Sequence, residues 1–223
     1  MAWPFVLKWH KIFGYKQKSY YLCNMDKGIF DFYKAALSGA ITAPLCADYK
    51  SHWRKCGDDK SMLIKLSLCQ QSIPYVVTHA YKGIGITKEY VKEYFKDYIN
   101  GVVFNDCDDV KGYTYSLYVD WDYENDLNIS TDVSSIMWTV GANIVVPQTK
   151  CPTIYISNRS NVHLVCEGFN TVNIKLFDRS VLTIEDLDES SDVIVYRYSK
   201  DAKVELGKYC LGNVKIFDKE LRL

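Results

Sequence analysis

Residues 161–187 read NVHLVCEGFNTVNIKLFDRSVLTIEDL. Within them an apolar pair spaced by two recurs every ten residues: Val162/Leu164, Val172/Ile174 and Leu182/Ile184. The same frame runs outward to Ile154/Ile156 on one side and to Ile194/Tyr196, Val204/Leu206 and Val214/Ile216 on the other. First members therefore step by 8, 10, 10, 12, 10 and 10 residues. Between the pairs lie turn-forming or small polar residues, such as Ser160-Asn161, Asn170-Thr171, Ser190-Ser191-Asp192 and Gly212-Asn213. Alternation at period two marks a strand with one face inward. A single strand of five residues cannot bury that face alone, whereas stacked units share one continuous core.

Two units per coil would give a flattened β-solenoid with coils of roughly 20 residues and strands about 4.8 Å apart. The units from 153 onward then make about three and a half coils. An antiparallel sandwich would place the same residues inside, but it has less reason to hold one repeat length. The positions expected outward (Asn173, Lys175, Thr183, Glu185, Arg197, Glu205 and Lys215) are polar. A solenoid has open strand edges that recruit other chains. The charged run Lys219-Glu220-Leu221-Arg222-Leu223 is expected to blunt one end, and strands within 113–147 to cover the other. Partial cover would leave an oligomerising edge.

Upstream, Tyr113, Tyr115, Leu117 and Val119 alternate as a strand. Ile136–Val140 and Asn143–Val146 read as two more, with Gly141-Ala142 as a tight turn between them. Before Gly112 the apolar period is near four. Asp26 is an expected cap for a helix to Ala40. A second helix runs from Pro44 to Cys56, a third follows Asp58 or Asp59 to Cys69, and a fourth starts at Ser72-Ile73-Pro74. The clearest helix starts after Thr87 and carries Tyr90, Val91, Tyr94, Phe95, Tyr98 and Ile99 toward a stop at Gly101. The fold class is therefore α+β: an aromatic and basic arm over 1–25, a helical region over 26–101, and an all-β region over 112–223 with the decameric repeat from 153.

The chain has 27 basic and 27 acidic residues, so it lacks the basic excess with which proteins displace counterions from nucleic acid. No nucleic-acid partner is expected. The first apolar run is too short for a signal segment or a membrane span, and synthesis in a cytoplasm is expected. Eighteen Tyr, nine Phe and five Trp suit protein–protein contacts. Trp3, Phe5, Trp9 and Phe13 of the arm, with Tyr90, Tyr94 and Tyr98 of the aromatic helix, are the candidate interface residues.

The eight cysteines include no C-x-x-C pair. His52 and Cys56 make half a metal site at most. Asp120, Asp122, Glu124 and Asp126 alternate like the start of a calcium loop, but Asn125 stands where the loop glycine belongs and Thr131 where its last glutamate belongs. A solvated hairpin tip explains them better. Glu185, Asp186, Asp188, Glu189 and Asp192 cluster as a turn would. A glycosidase needs two carboxylates held across a cleft. No nucleophile, metal or nucleotide motif is present, so neither cofactor nor enzymatic activity is expected.

The stretch from Ser134 to Pro147 (SSIMWTVGANIVVP) and the decamers from Asn161 resemble structural proteins of crAss-like tailed phages over about the last half of the chain. The resemblance implies a virion component: a fibre, or a ring or connector subunit of the head–tail apparatus. Its partners would be further copies of itself and other virion proteins. A polymerising, cytoskeleton-like β-solenoid and a carbohydrate-binding module are the alternatives. The latter would need a row of exposed aromatics on one face.

Overall fold

The computed structural model of the chain describes residues 34, 37–38, 45–81, 87–108 and 111–220. The arm, with Trp3, Phe5, Trp9 and Phe13, lies outside the described residues. So does most of the helix expected from Asp26 to Ala40, of which Lys34, Leu37 and Ser38 are described and helical. Helix α1 (Ala47–Lys55) closes at Cys56, and Gly57 takes the left-handed conformation at φ 57°. Helix α2 (Lys60–Leu68) starts where Asp59 accepts a hydrogen bond from the Met62 amide at 2.9 Å. Helix α3 (Ile73–Tyr81) follows. Helix α4 (Lys88–Tyr94) is capped by the Thr87 hydroxyl, which accepts from the Tyr90 amide.

The expected continuous helix from Thr87 to Ile99 is shorter in the structure. Phe95 leaves helical geometry, and a 3-10 turn spans Lys96–Tyr98. Val91, Phe95 and Ile99 are still buried, so the inward face survives the break. The tighter turn redirects the chain so that Asn100 and the strand after it reach the edge of the β region.

Among the described residues twelve strands follow: β1 (Val103–Asn105), β2 (Thr114–Val119), β3 (Leu127–Asn128), β4 (Val133–Met137), β5 (Val140–Val146), β6 (Thr153–Ser157), β7 (Asn161–Cys166), β8 (Thr171–Leu176), β9 (Val181–Leu187), β10 (Asp192–Arg197), β11 (Lys203–Cys210) and β12 (Asn213–Asp218). One sheet has the order β1-β2-β4-β6-β8-β10-β12, the other β11-β9-β7-β5-β3. Consecutive strands from β2 onward thus alternate between sheets, and strand pairs within a sheet are parallel. Antiparallel pairing occurs between β1 and β2. This is a flattened β-solenoid with two strands per coil, not a sandwich of hairpins. Its coils run from β2–β3 to β10–β11, and β12 begins one more.

Three expectations change. The strands between 113 and 147 are not a cover over the repeat; they are its first two coils. Gly141-Ala142 is not a turn. Gly141, at φ 81°, lies inside β5 at a register irregularity, and the corner before it turns at Trp138, φ 54°. Ile194/Tyr196 is not the inward pair of its strand: Val193 and Val195 are buried instead, aligned with Val172 and Ile174. The cause is one extra residue in β9. The register shifts there, Leu187 turns inward, and the inward pair of β10 falls on Val193 and Val195, while β11 and β12 keep Val204/Leu206 and Val214/Ile216 inward.

The interior is a stack of fully buried aliphatics, including Ile144, Val162, Leu164, Val172, Ile174, Leu182, Ile184, Val193 and Val195. Each contributes about 1.5–3 kcal/mol by leaving water. The corners are built from small hydroxyl residues. The Ser160 hydroxyl accepts from the Thr139 amide, and the Ser191 hydroxyl from the Asn170 amide, each from the coil before it. A second core lies outside the solenoid. There the helices pack on the outer face of the first sheet, against Tyr115, Leu117, Val119, Val133, Met137, Tyr155 and Phe177.

Candidate interaction surface at the end of the solenoid

The two ends of the coil stack are built differently. At the start, the backbone edge of β2 is covered. Asn100 brackets Val119: its side-chain oxygen accepts from the Val119 amide at 2.8 Å, and its side-chain nitrogen donates to the Val119 carbonyl at 3.0 Å. The Asn100 amide donates to the Leu117 carbonyl, and β1 then pairs with the rest of β2. The second sheet begins with β3, a strand of two residues, and short edges recruit little. Trp121 packs against the interior and meets Tyr118 edge-on at 5.6 Å.

At the other end, among the described residues, no strand lies beyond β11 or β12. Residues that close the core one coil earlier are here the last layer. Val204, Cys210 and Val214 are partly buried against the interior. Leu206 is 60 % exposed, Tyr209 61 %, Leu211 71 %, and Ile216 and Phe217 45 % each. Leu206 and Ile216 carry the inward pattern of the repeat, yet no next coil covers them. The free backbone groups can be assigned. Asn213 and Lys219 amides donate to the Ser191 and Arg197 carbonyls, so Val214, Ile216 and Asp218 direct theirs to the open edge. Likewise the Lys203 amide donates to Ser180, and Val204 and Leu206 face outward along β11.

Two glycines seat this last coil. A Cβ at Gly212 would stand 2.5 Å from the Asp188 and Ser191 carbonyl oxygens, and one at Gly207 would stand 2.9 Å from the Glu185 backbone. The Arg197 guanidinium pairs with Asp218 at 2.7 Å. Lys219, the first residue of the charged run expected to blunt this end, places its amine over the Tyr196 ring on the outer face. Residues 221–223 lie outside the described residues.

The other candidates disperse. Tyr90, Tyr94 and Tyr98 are partly buried on the core beneath the helices, with Tyr90 and Tyr94 rings 4.5 Å apart. Asp120 is held by Lys88 and Lys92, Asp122 by the Glu124 amide, and Asp126 by Asn143, so these carboxylates do not converge. Their loop joins the two sheets at a solenoid corner and is not a hairpin tip. In the acidic turn, Asp188 accepts from Ser190 while Glu185 pairs with His163 at 2.8 Å. The Cys56 thiol donates to the Trp53 carbonyl, and burial pushes it up to about 12.

A polar seam runs between the helices and the first sheet. Asp108 accepts from the Gln70 amide and the Tyr115 hydroxyl, and Lys175 donates to the Tyr155 hydroxyl at 2.8 Å. Burial lowers the Lys175 ammonium and pushes the neighbouring Cys69 and Cys107 thiols up to about 12. Protonated thiols are poor nucleophiles at neutral pH, and the hydrogen bonds of the seam tie the two regions together. On the outer face, Tyr196 and Phe217 stack on each other at 5.7 Å, and Lys219 takes a further face of Tyr196. The pair is stacked, not laid flat as a sugar platform would be.

Comparison with protein-family models, with curated proteins and with solved structures finds no match to this chain.

Proposed function

We propose that this chain is a non-enzymatic structural protein that works through protein–protein contacts, as a subunit of a tailed-phage virion made in the host cytoplasm. The observation that carries the structural role is the unequal solenoid, closed by its own chain at one end and carrying exposed apolar residues and unpaired strand edges at the other. Unpaired edges beside exposed leucines are what an assembly contact needs. The phage setting comes from the sequence resemblance, which points to a fibre or a head–tail ring or connector. A freely polymerising scaffold needs two complementary ends, and the covered β2 edge disfavours it. The stacked Tyr196–Phe217 pair disfavours a carbohydrate-binding face.

The test is to purify, on a density gradient, the particles released by the replicon that encodes the chain. Mass spectrometry of the banded particles then looks for it. Stoichiometric recovery that resists high salt is the expected result. Recovery in the soluble lysate alone would contradict the virion reading.

A further inference from the structure

The open end has the shape of a half-coil step. Among the described residues, the first sheet finishes in β12, which begins a coil that the second sheet does not complete with a strand after β11. Any partner that closes this end has to satisfy two backbone edges at once. Those edges lie in two stacked sheets about 10 Å apart. An extended peptide can add to one of them, leaving the other open.

We infer that the partner is a second copy of this chain, seated end to end by a two-fold rotation about an axis parallel to the strands. That operation maps the first sheet of one copy onto the second sheet of the other. The projecting β12 of each copy then fills the step beside β11 of its mate. Consecutive strands of a flattened solenoid run in opposite senses, so each new contact is antiparallel. The free groups of Val214, Ile216 and Asp218 meet those of Val204 and Leu206, twice. Leu206, Leu211 and Ile216 leave water in the joint.

Area agrees with this occupant. Strands of eight and six residues at about 3.3 Å per residue make an end face of roughly 25 by 20 Å with side chains. Pairing would bury about 1,000 Å² in total, near the lower bound of specific interfaces. The contact is isologous, and the opposite end offers a covered β2 edge and a β3 of two residues, so growth stops at two copies.

The proposal rests on the reading of the chain as an assembly subunit, and it is tested separately from it. Light scattering after size exclusion gives the mass of the full chain at high micromolar concentration. Lysine cross-linking of mixed light and heavy-isotope chains gives the contact in the unaltered protein. A mass of twice the chain is expected, with inter-copy links joining Lys203 or Lys208 to Lys215 or Lys219. Leu211→Asp and, separately, Ile216→Pro should convert it to monomer with the circular dichroism spectrum retained. Proline at 216 removes an amide that faces the open edge, so the pairing of β12 with β10 stays intact. Tyr123→Asp, on the β2–β3 loop, should leave the dimer unchanged. A monomer, a ladder of higher masses, or inter-copy links confined to other lysines would overturn the pairing. None of those outcomes decides whether the chain is found in particles.

Discussion

The first and last coils of the solenoid carry the same inward pattern and meet opposite fates. Tyr118 of β2 and Ile216 of β12 both point into the solenoid from terminal coils, yet Tyr118 is 4 % exposed and Ile216 45 %. The difference lies in what the chain places beside them. Before β2 come helices α1–α4, Asn100 and β1, which cover its outer face and its edge. After β12, among the described residues, nothing pairs with the edge. A repeat therefore does not determine its own boundary. Each inward pair promises burial only when a further coil, a cap or a partner lies beyond it.

The largest expected effect sharpens this contrast within one kind of substitution. Leu164→Ala, in the closed interior, should lower unfolding free energy by about 2–5 kcal/mol. Leu206→Ala, with the same inward pattern at the open end, should cost the monomer less than about 1 kcal/mol. Urea denaturation at low protein concentration measures both. Equal losses would mean that the last coil is as covered as the middle ones.

Gly212→Ala comes next. Its Cβ would press on two backbone carbonyls of the preceding turn, which cannot yield as a side chain can. A loss of about 1–3 kcal/mol is expected, with faster proteolysis near β11–β12 and little change at β2. Asn100→Ala probes the opposite end. It removes two side-chain hydrogen bonds that close β2, for an expected loss of about 1–2 kcal/mol. It should also create a second recruiting edge, visible as masses above the dimer.

The smallest effect is electrostatic. The Lys92 amine, with Lys88 adding and partial burial opposing, holds the Asp120 carboxyl below its usual range. A depressed carboxylate stabilises the fold above its unfolded pKa, and that contribution is lost as pH falls through the folded value. The ion pairs are substantially solvated, so Asp120→Asn should cost roughly 0.5 kcal/mol at neutral pH. The difference between variant and parent should vanish in acid. A difference that grew in acid would contradict the assignment.

Much of this architecture was legible in the chain itself. Turn residues between apolar pairs at ten-residue steps placed β7, β8 and β9, and the caps Asp59 and Thr87 placed two helices. Three things were not. The extra residue in β9 is silent in a pattern of apolar pairs, because Ile194/Tyr196 reads as apolar as Val193/Val195. Strands were read within 113–147, but not as the first two coils of the repeat, because both faces of β2 and β4 are buried and the inward frame of apolar pairs does not stand out there. The open end was half visible. Leu206 and Ile216 were marked as inward, but their exposure depends on whether another layer of chain stacks beyond them. Tyr209 and Leu211 stand outside the inward frame, so the repeat carries no sign of their exposure.

The central claim is that, among the described residues, one end of the solenoid is closed by its own chain and the other is not. Hydrogen exchange measured residue by residue, in dilute and concentrated samples, tests it most directly. The Val119 amide should be protected at both concentrations. The Val214 and Ile216 amides should exchange fast when dilute and slow when concentrated. Protection of Val214 and Ile216 in a sample shown to be monomeric, or exchange at Val119 as fast as theirs, would contradict the claim.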